Sequence, residues 1–203
     1  MFSLLLGDLF SQRVFRSVGN GNWDDASTWD ASAGTGGIEG ITFPSPTDSV
    51  YIEAGDTVLL DLTNVGNNYE FGGFLYVGTN AVFQSASGNG NTDGLVLVDD
   101  SYVVVDGDFW VAENGEGPGT AGPAPLDFDI ENNSYFRVNT GGYVYLADDW
   151  FIRDNAFMYV QINICMEVDD DLQVEDNAFI CGAGGASINL SVANNTLTYA
   201  GGA

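Results

Sequence analysis

The tetrapeptide Asp-Asn-Ala-Phe occurs twice in this 203-residue chain, at 154–157 and 176–179, so the two copies lie 22 residues apart. Residues 115–125, rich in Gly, Pro and Ala, account for one longer step further upstream. Internal periods of roughly 20 to 50 residues are typical of folds in which each unit stacks on its neighbours. Including the looser upstream copies, the repeat runs through 77–82, 97–102, 130–135, 152–157 and 174–179.

Between the turns the chain alternates β-branched and aromatic residues, as in 143–146, and Gly, Asn and Asp punctuate it. No stretch has the 3.6-residue period of an amphipathic helix. A period near 22 residues accommodates three short strands and three turns in each coil. We therefore predict an all-β fold, a right-handed parallel β-helix (solenoid) with coils of about 22 residues. Residues 1–48 are expected to form an N-terminal strand and cap, with an apolar strand at 2–10, and residues 49–203 one continuous solenoid.

If each period is one coil, equivalent residues lie roughly 4.8 Å apart along the axis. Asn and Asp tolerate the left-handed backbone of a tight turn, and stacked amides can hydrogen-bond along the axis. The predicted aliphatic column consists of Val77, Leu97, Ile130, Ile152 and Val174. The predicted aromatic stack consists of Tyr102, Tyr135, Phe157 and Phe179. The predicted polar ladder consists of Asn80, Asp100, Asn133, Asn155 and Asn177.

Two segments near the N-terminus carry a family resemblance. Residues 17–29 contain Gly-Asn-Trp followed by Thr-Trp, and residues 44–61 contain a Pro…Asp-x-Val-x-Ile…Gly-x-Thr-Val pattern. This pattern resembles the opening of secreted right-handed parallel β-helix proteins of the Bacteroidetes surface or adhesin type. It is also similar to the eight-glycine domain of cell-surface proteins. The resemblance implies secretion, a β-helix and adhesive or surface roles, and it implies no defined reaction.

Trp23 and Trp29 belong to the resembling segment and have two interpretations. In the family, this segment covers the N-terminal end of the solenoid, so both residues would pack over the open hydrophobic core. An exposed Trp pair could instead stack on sugar rings. We favour the cap.

The charge balance restricts the partners of the chain. It has 29 acidic residues, four arginines, no Lys and no His, for a formal net charge of −25. Phosphate recognition needs clustered cations, so neither nucleic acid nor an anionic membrane surface is an expected partner, and no segment has the length of a membrane span.

Several aspartates recur at the 22-residue offset and form predicted acidic columns. Two carboxylates about 4.8 Å apart repel by about 1 kcal/mol even in water, whereas Ca²⁺ takes six to eight oxygen ligands and would bridge them. The alternative is a solvated acidic face that salt screens. The calcium hypothesis assigns Asp127, Asp148, Asp149, Asp169, Asp170 and Asp171 as ligands.

Catalysis is not expected, because general acid–base and nucleophilic sites are hard to build without His or Lys. The first functional hypothesis is a non-catalytic extracellular or cell-surface solenoid with a structural or adhesive role. Its partner would be a cell-surface or glycan molecule, or further copies of itself stacked end to end as a filament. The alternative is a carbohydrate-binding module of a larger secreted protein, with Trp110 and Trp150 as stacking platforms. Cys165 and Cys181 either form one disulfide or remain two free thiols.

Overall fold

The computed structural model describes residues 13–30, 43–62, 68–86, 94–112, 127–161, 164–168, 171–182, 188–192 and 197–199. These residues form 21 β-strands and one 3₁₀ turn, Ala26–Thr28. The described segments contain no α-helix, so none with the length and apolarity for crossing a membrane occurs among them. The predicted apolar strand at 2–10 lies outside the described residues.

The strands form three sheets, and the chain visits them in a fixed order. The first sheet contains β1 (Val14–Ser17), β3 (Trp29–Asp30), β4 (Ser49–Ile52), β7 (Phe74–Val77), β10 (Tyr102–Val105), β13 (Tyr135–Val138), β16 (Phe157–Val160) and β19 (Phe179–Gly182). The second contains β2 (Gly21–Asn22), β5 (Thr57–Asp61), β8 (Val82–Ala86), β11 (Asp108–Val111), β14 (Tyr143–Leu146), β17 (Ile164–Val168) and β20 (Ile188–Val192). The third contains β6 (Tyr69–Phe71), β9 (Leu95–Leu97), β12 (Phe128–Ile130), β15 (Trp150–Ile152), β18 (Leu172–Val174) and β21 (Leu197–Tyr199).

Each strand from β4 to β18 pairs in parallel with the strand of the same sheet in the next coil. This arrangement confirms the prediction of an all-β parallel β-helix. The repeat is 22 residues in the last coils, where Tyr135 pairs with Phe157 and Phe157 with Phe179. The longer step from Tyr102 to Tyr135 is in register, and its extra residues fall between β11 and β12, as the position of residues 115–125 predicts.

The core is a continuous apolar column inside the three sheets, because every second residue of most strands points inward. Leu97, Ile130, Ile152 and Val174 stack in the third sheet, as predicted. Val77 does not belong to this column: it lies in the first sheet, between Ile52 and Val105. The residue that stacks below Leu97 is Phe71.

The N-terminal end of the core is closed by Trp23 and Trp29, each only 4% exposed. The Trp23 ring meets the rings of Trp29, Phe71 and Phe83 edge to face, with centroids 5.4, 6.2 and 6.1 Å away. Its Nε1 donates to the Pro44 carbonyl at 3.1 Å, and Trp29 Nε1 donates to the Trp23 carbonyl at 2.8 Å. Both rings are therefore placed as a cap would place them and offer no exposed face to a sugar.

Four residues of the predicted polar ladder occupy one corner, between the third and first sheets. Asp100 and Asn133 adopt left-handed backbone there, with φ of 62° and 61°. Asn177 Nδ2 donates to Asn155 Oδ1 at 3.3 Å along the axis. Asn80 is not part of this ladder: it lies at the corner between β7 and β8, which leads from the first sheet to the second.

Candidate interaction surface

The outer side of the first sheet carries a continuous strip of aromatic side chains. In β7, β13 and β16 the inward residues are buried and the outward residues are partly exposed, so the alternation sorts the aromatic rings to the outside. We call this strip the aromatic face. It consists of Tyr51, Phe74, Tyr76, Tyr102, Tyr135, Phe157, Tyr159 and Phe179.

The predicted aromatic stack forms the longer column of this face. The ring centroids of Tyr102 and Tyr135 are 4.7 Å apart with planes 11° apart, and those of Tyr135 and Phe157 are 5.0 Å and 21° apart. Phe74 extends the stack at one end, with its centroid 5.8 Å from Tyr102. Phe179 ends it by turning edge-on to Phe157, and it is 48% exposed.

The stacking decides which part of each ring is presented to solvent. Since the faces of Tyr102 and Tyr135 are covered by their neighbours in the column, these rings turn their edges and hydroxyls outward. A sugar stacks on the face of a ring, so the middle of the column is unsuited to that kind of contact. It is suited to packing against another flat surface, with hydroxyls available for hydrogen bonds.

The charge of the aromatic face is opposite in sign to that of the chain as a whole. The seven parallel strands of the first sheet contain no Asp or Glu and two cations, Arg16 and Arg137. Arg16 lies over the Tyr51 ring, 4.3 Å from its centroid, and is also paired with Glu53. Arg137 lies 5.4 Å from the Tyr159 centroid and donates to Asn139 Oδ1.

The remaining two arginines are also engaged. Arg13 bonds both oxygens of the buried Asp48. Arg153 bonds Asp129 at 2.7 Å and has its guanidinium carbon 4.7 Å from the Phe151 ring centroid. Each of the four arginines thus has an acidic or aromatic partner. None of them is therefore left over to neutralise the other acidic residues at the described turns beside the aromatic face.

Trp150 is not a stacking platform. It is fully buried, with its ring centroid 5.9 Å from Phe128 and 6.2 Å from Phe136 inside the solenoid. Trp110 lies on the outer side of the second sheet and is partly exposed, but its Nε1 atom is buried and finds no hydrogen-bond partner within the described ranges.

Three of the predicted metal ligands form a column at the start of the third sheet's strands. The Phe128 N–H donates to the Asp149 carbonyl, and the Trp150 N–H to the Asp171 carbonyl, so Asp127, Asp149 and Asp171 stack. Asp149 Oδ1 also accepts the Asp171 N–H at 3.0 Å, a structural use of the carboxylate. Among the residues that the structure describes, no group of three or more His, Cys, Asp or Glu side chains is arranged to hold a metal ion.

One further predicted ligand, Asp148, interacts with Asp127. Burial raises the pKa of Asp127 and a hydrogen bond with Asp148 opposes the rise, so these two carboxyls interact. Asp169 and Asp170 lie outside the described residues. Calcium binding at this column therefore stays a prediction.

The second column of the aromatic face, Tyr51, Tyr76 and Tyr159, was missed at the level of sequence. The sequence does contain a signal for this column. Residues two apart in a strand point to the same face, and β4, β7 and β16 each have a Tyr two residues after an outward position, in strands without Asp or Glu. Cys181 aligns with Tyr159 in the next coil and carries a free thiol.

Searches against protein-family models, curated proteins and solved structures found no match to this chain.

Proposed function

We propose that the chain is a non-catalytic solenoid of the cell exterior that serves a structural or adhesive role through its aromatic face. The observation that carries the proposal is the coincidence of three properties on one sheet. In a chain with a net charge of −25, the seven parallel strands of this sheet are rich in aromatic residues, contain no Asp or Glu and carry two arginines.

Self-repulsion explains why such a face is useful. Like-charged molecules keep apart, and acids distributed over every surface would prevent any copy or acidic partner from approaching. A strip without acids is the one place where apolar contact is not opposed by local repulsion. Extended aromatic surface of this kind is characteristic of interaction sites.

We do not place the contact between copies at the N-terminal end of the solenoid, where end-to-end stacking would occur. There, β3 pairs antiparallel with β1 at the edge of the first sheet, and Trp23 and Trp29 cover the core. We therefore propose lateral contact, with a second copy as the partner that can be tested directly.

Lateral association is expected to strengthen as salt rises. Sodium chloride screens the repulsion between two strongly acidic molecules but leaves the apolar contact intact. Sedimentation velocity at about 0.02 and 0.5 M NaCl, spanning the range over which the screening length falls well below 10 Å, should show a larger oligomer fraction at high salt. Phe179→Glu, which puts an acid on the exposed end of the aromatic face, should abolish the association.

Val18→Glu is the matched control, because Val18 is 62% exposed, lies beyond the end of β1 and undergoes the same change in charge. It should associate like the natural chain. Association that weakens with salt, or that is equally reduced in both variants, would contradict a role for the aromatic face.

The predicted calcium site is tested by thermal unfolding at fixed ionic strength. If Ca²⁺ bridges stacked carboxylates, CaCl₂ should raise Tm more than MgCl₂, which prefers a smaller and more rigid octahedral site. Asp149→Asn keeps the oxygen that accepts the Asp171 N–H but removes one charge, so the calcium-specific rise should shrink. Equal Tm values in the two salts would refute calcium binding.

A further inference from the structure

A polar groove interrupts the corner between the first and second sheets. Four residues form this corner between β7 and β8 (78–81) and between β13 and β14 (139–142). In the intervening coil only Asp106 and Gly107 connect β10 to β11. Two projecting turns therefore stand about 10 Å apart, two coil spacings, with a shorter turn between them. The resulting groove encloses 630 Å³.

Gly107 makes the short corner possible. A Cβ atom at this position would lie 2.3 Å from the Gly78 carbonyl oxygen and 2.4 Å from that of Ala81, both backbone atoms. The Gly107 backbone nevertheless continues the stack, because its carbonyl accepts the Tyr143 N–H at 2.9 Å. The floor of the groove is thus formed by the backbone of Gly107. A larger residue at this position would require the neighbouring backbone to shift.

A chain of hydrogen bonds holds the groove walls. Asp106 accepts from the Tyr76 hydroxyl with one oxygen and from Asn139 Nδ2 with the other. Asn139 Oδ1 in turn accepts from Arg137 Nε at 2.7 Å. On the far wall, Gln161 Oε1 accepts from both the N–H and the hydroxyl of Thr140. These hydrogen bonds hold the side chains in place, so they position the groove and are not expected to contact a ligand first.

Three other lining side chains are uncommitted. Thr79, Asn80 and Asp108 line the groove, and none of their side chains has a hydrogen-bonding or charged partner among the residues described here. Together they offer a hydroxyl, an amide and a carboxylate, which is a mixture of donors and acceptors. No cation lines the groove.

We propose that this groove binds a neutral sugar unit of a glycan. Sugar hydroxyls both donate and accept, which matches the three free groups, and a carboxylate such as Asp108 accepts the stronger, charge-assisted hydrogen bonds. Sulfated or carboxylated sugars are excluded, since the groove has no cation and the chain is strongly acidic. A metal ion would use acceptors alone and would leave the Asn80 amide donors unused.

The inference names a ligand for the adhesive role proposed above and in that respect rests on it, although the two sites use different residues. The sugar contacts come from Thr79, Asn80 and Asp108, whereas association uses the aromatic face. Failure of one can therefore be distinguished from failure of the other.

The test is binding of the full chain to an array of neutral, amine-bearing and sulfated oligosaccharides, followed by calorimetric titration of the neutral compounds that bind. We expect binding to neutral sugars, a loss of at least about tenfold for Asp108→Ala, as for removal of a charged hydrogen-bond partner, and no binding for Thr79→Trp, which fills the groove. Ala54→Trp is the matched control, because Ala54 occupies the same turn position one coil earlier, outside the groove.

Three outcomes would overturn the inference: no neutral sugar binds, only amine-bearing sugars bind, or Thr79→Trp binds as well as Ala54→Trp. Thr79→Trp should keep the salt-dependent association, and Phe179→Glu should keep sugar binding. If Thr79→Trp instead lost both, the two sites would not be separate and the inference would also fail.

Discussion

Replacing Trp23 with alanine is expected to lower the free energy of unfolding by about 3–5 kcal/mol, the range for truncation of a large buried aromatic side chain. The Trp23 ring contacts three other aromatic rings of the core and donates a hydrogen bond to Pro44. The variant loses these contacts at the end of the solenoid, where a coil has a neighbour on one side only. Guanidinium unfolding followed by far-ultraviolet circular dichroism measures the loss.

Trp110→Ala is the matched control for this experiment. It removes the same side chain from the partly exposed outer side of the second sheet, so a smaller loss is expected. If the two variants were equally destabilised, or if Trp23→Ala cost less than about 1 kcal/mol, the cap would not be a major source of stability.

The same variant has a consequence for assembly. Without the Trp23 ring, the N-terminal edges of the sheets and the apolar core become available to another chain, and unprotected strand edges promote such pairing. Trp23→Ala should therefore form end-to-end aggregates, visible as fibres by negative-stain electron microscopy, in conditions where the natural chain does not. Fibres of the natural chain under the same conditions would show instead that the capped end is compatible with stacking.

The polar ladder shows how far the sequence alone could predict the fold. The pattern of an aliphatic residue, a turn Asn or Asp and a small residue correctly placed four coils in register, and it placed Asn80 at the wrong corner. Both corners close with the same hydrogen bond: the Ala81 N–H donates to Gly78, and the Ser101 N–H to Val98. Because the two corners require the same turn chemistry, local sequence cannot tell which pair of sheets a turn connects.

The orientation of Trp150 was unpredictable for a related reason. Its strand, Trp150–Ile152, consists of three large apolar residues in a row, so no polar residue marks the outward side. Where polar and apolar residues do alternate, as in Tyr135–Val138, the inward side is evident from sequence. Register with Phe128 and Leu172, which only the coil geometry supplies, places Trp150 inside.

The groove was hidden from sequence because it results from a difference between coils. Asp106 and Gly107 form an ordinary turn when considered alone. They form a groove only because the turns of the coils above and below them have four residues each. That comparison requires the pairing of Asp108 with Val82 and with Tyr143, which align residues of unrelated sequence. Repeat analysis finds what coils share, whereas sites in a solenoid arise where one coil departs from the others.

The stability of the chain is expected to rise, not fall, as the pH is lowered from 7 toward 4. Burial raises the pKa of Asp108, Asp129 and Glu131, and it also raises that of Asp127. A carboxyl whose pKa is raised in the folded state binds its proton more tightly there than in the unfolded chain. Its contribution to stability is therefore fully present below the ordinary pKa, 3.8 for Asp, and is lost as the pH rises through the folded value.

The lowered pKa of Asp25, held by hydrogen bonds from Ser27, acts in the opposite direction but belongs to a fully exposed group. Relief of the repulsion among 29 acidic residues acts in the same direction as the buried carboxyls. Thermal unfolding should be measured between pH 4 and pH 7 in 0.5 M NaCl, where the screening length is only a few ångströms. This salt concentration suppresses the repulsion among the acidic residues, so the remaining pH dependence reports the carboxyls whose pKa burial raises.

Asp108→Asn separates the contribution of a single, partly buried carboxyl. Asp108 has no partner within the described residues that its loss would leave unpaired, so the variant should be more stable than the natural chain at pH 7 and should show a flatter dependence on pH. Asp24→Asn removes the same charge from an exposed position and should follow the natural curve. If Tm fell steadily from pH 7 to pH 4, or if the two variants behaved alike, desolvation of these carboxyls would not govern the stability. If Asp108→Asn has a higher Tm than the natural chain at neutral pH and Asp24→Asn does not, the Asp108 carboxylate lowers the stability of the chain. Such a cost is expected of a group that is kept for binding.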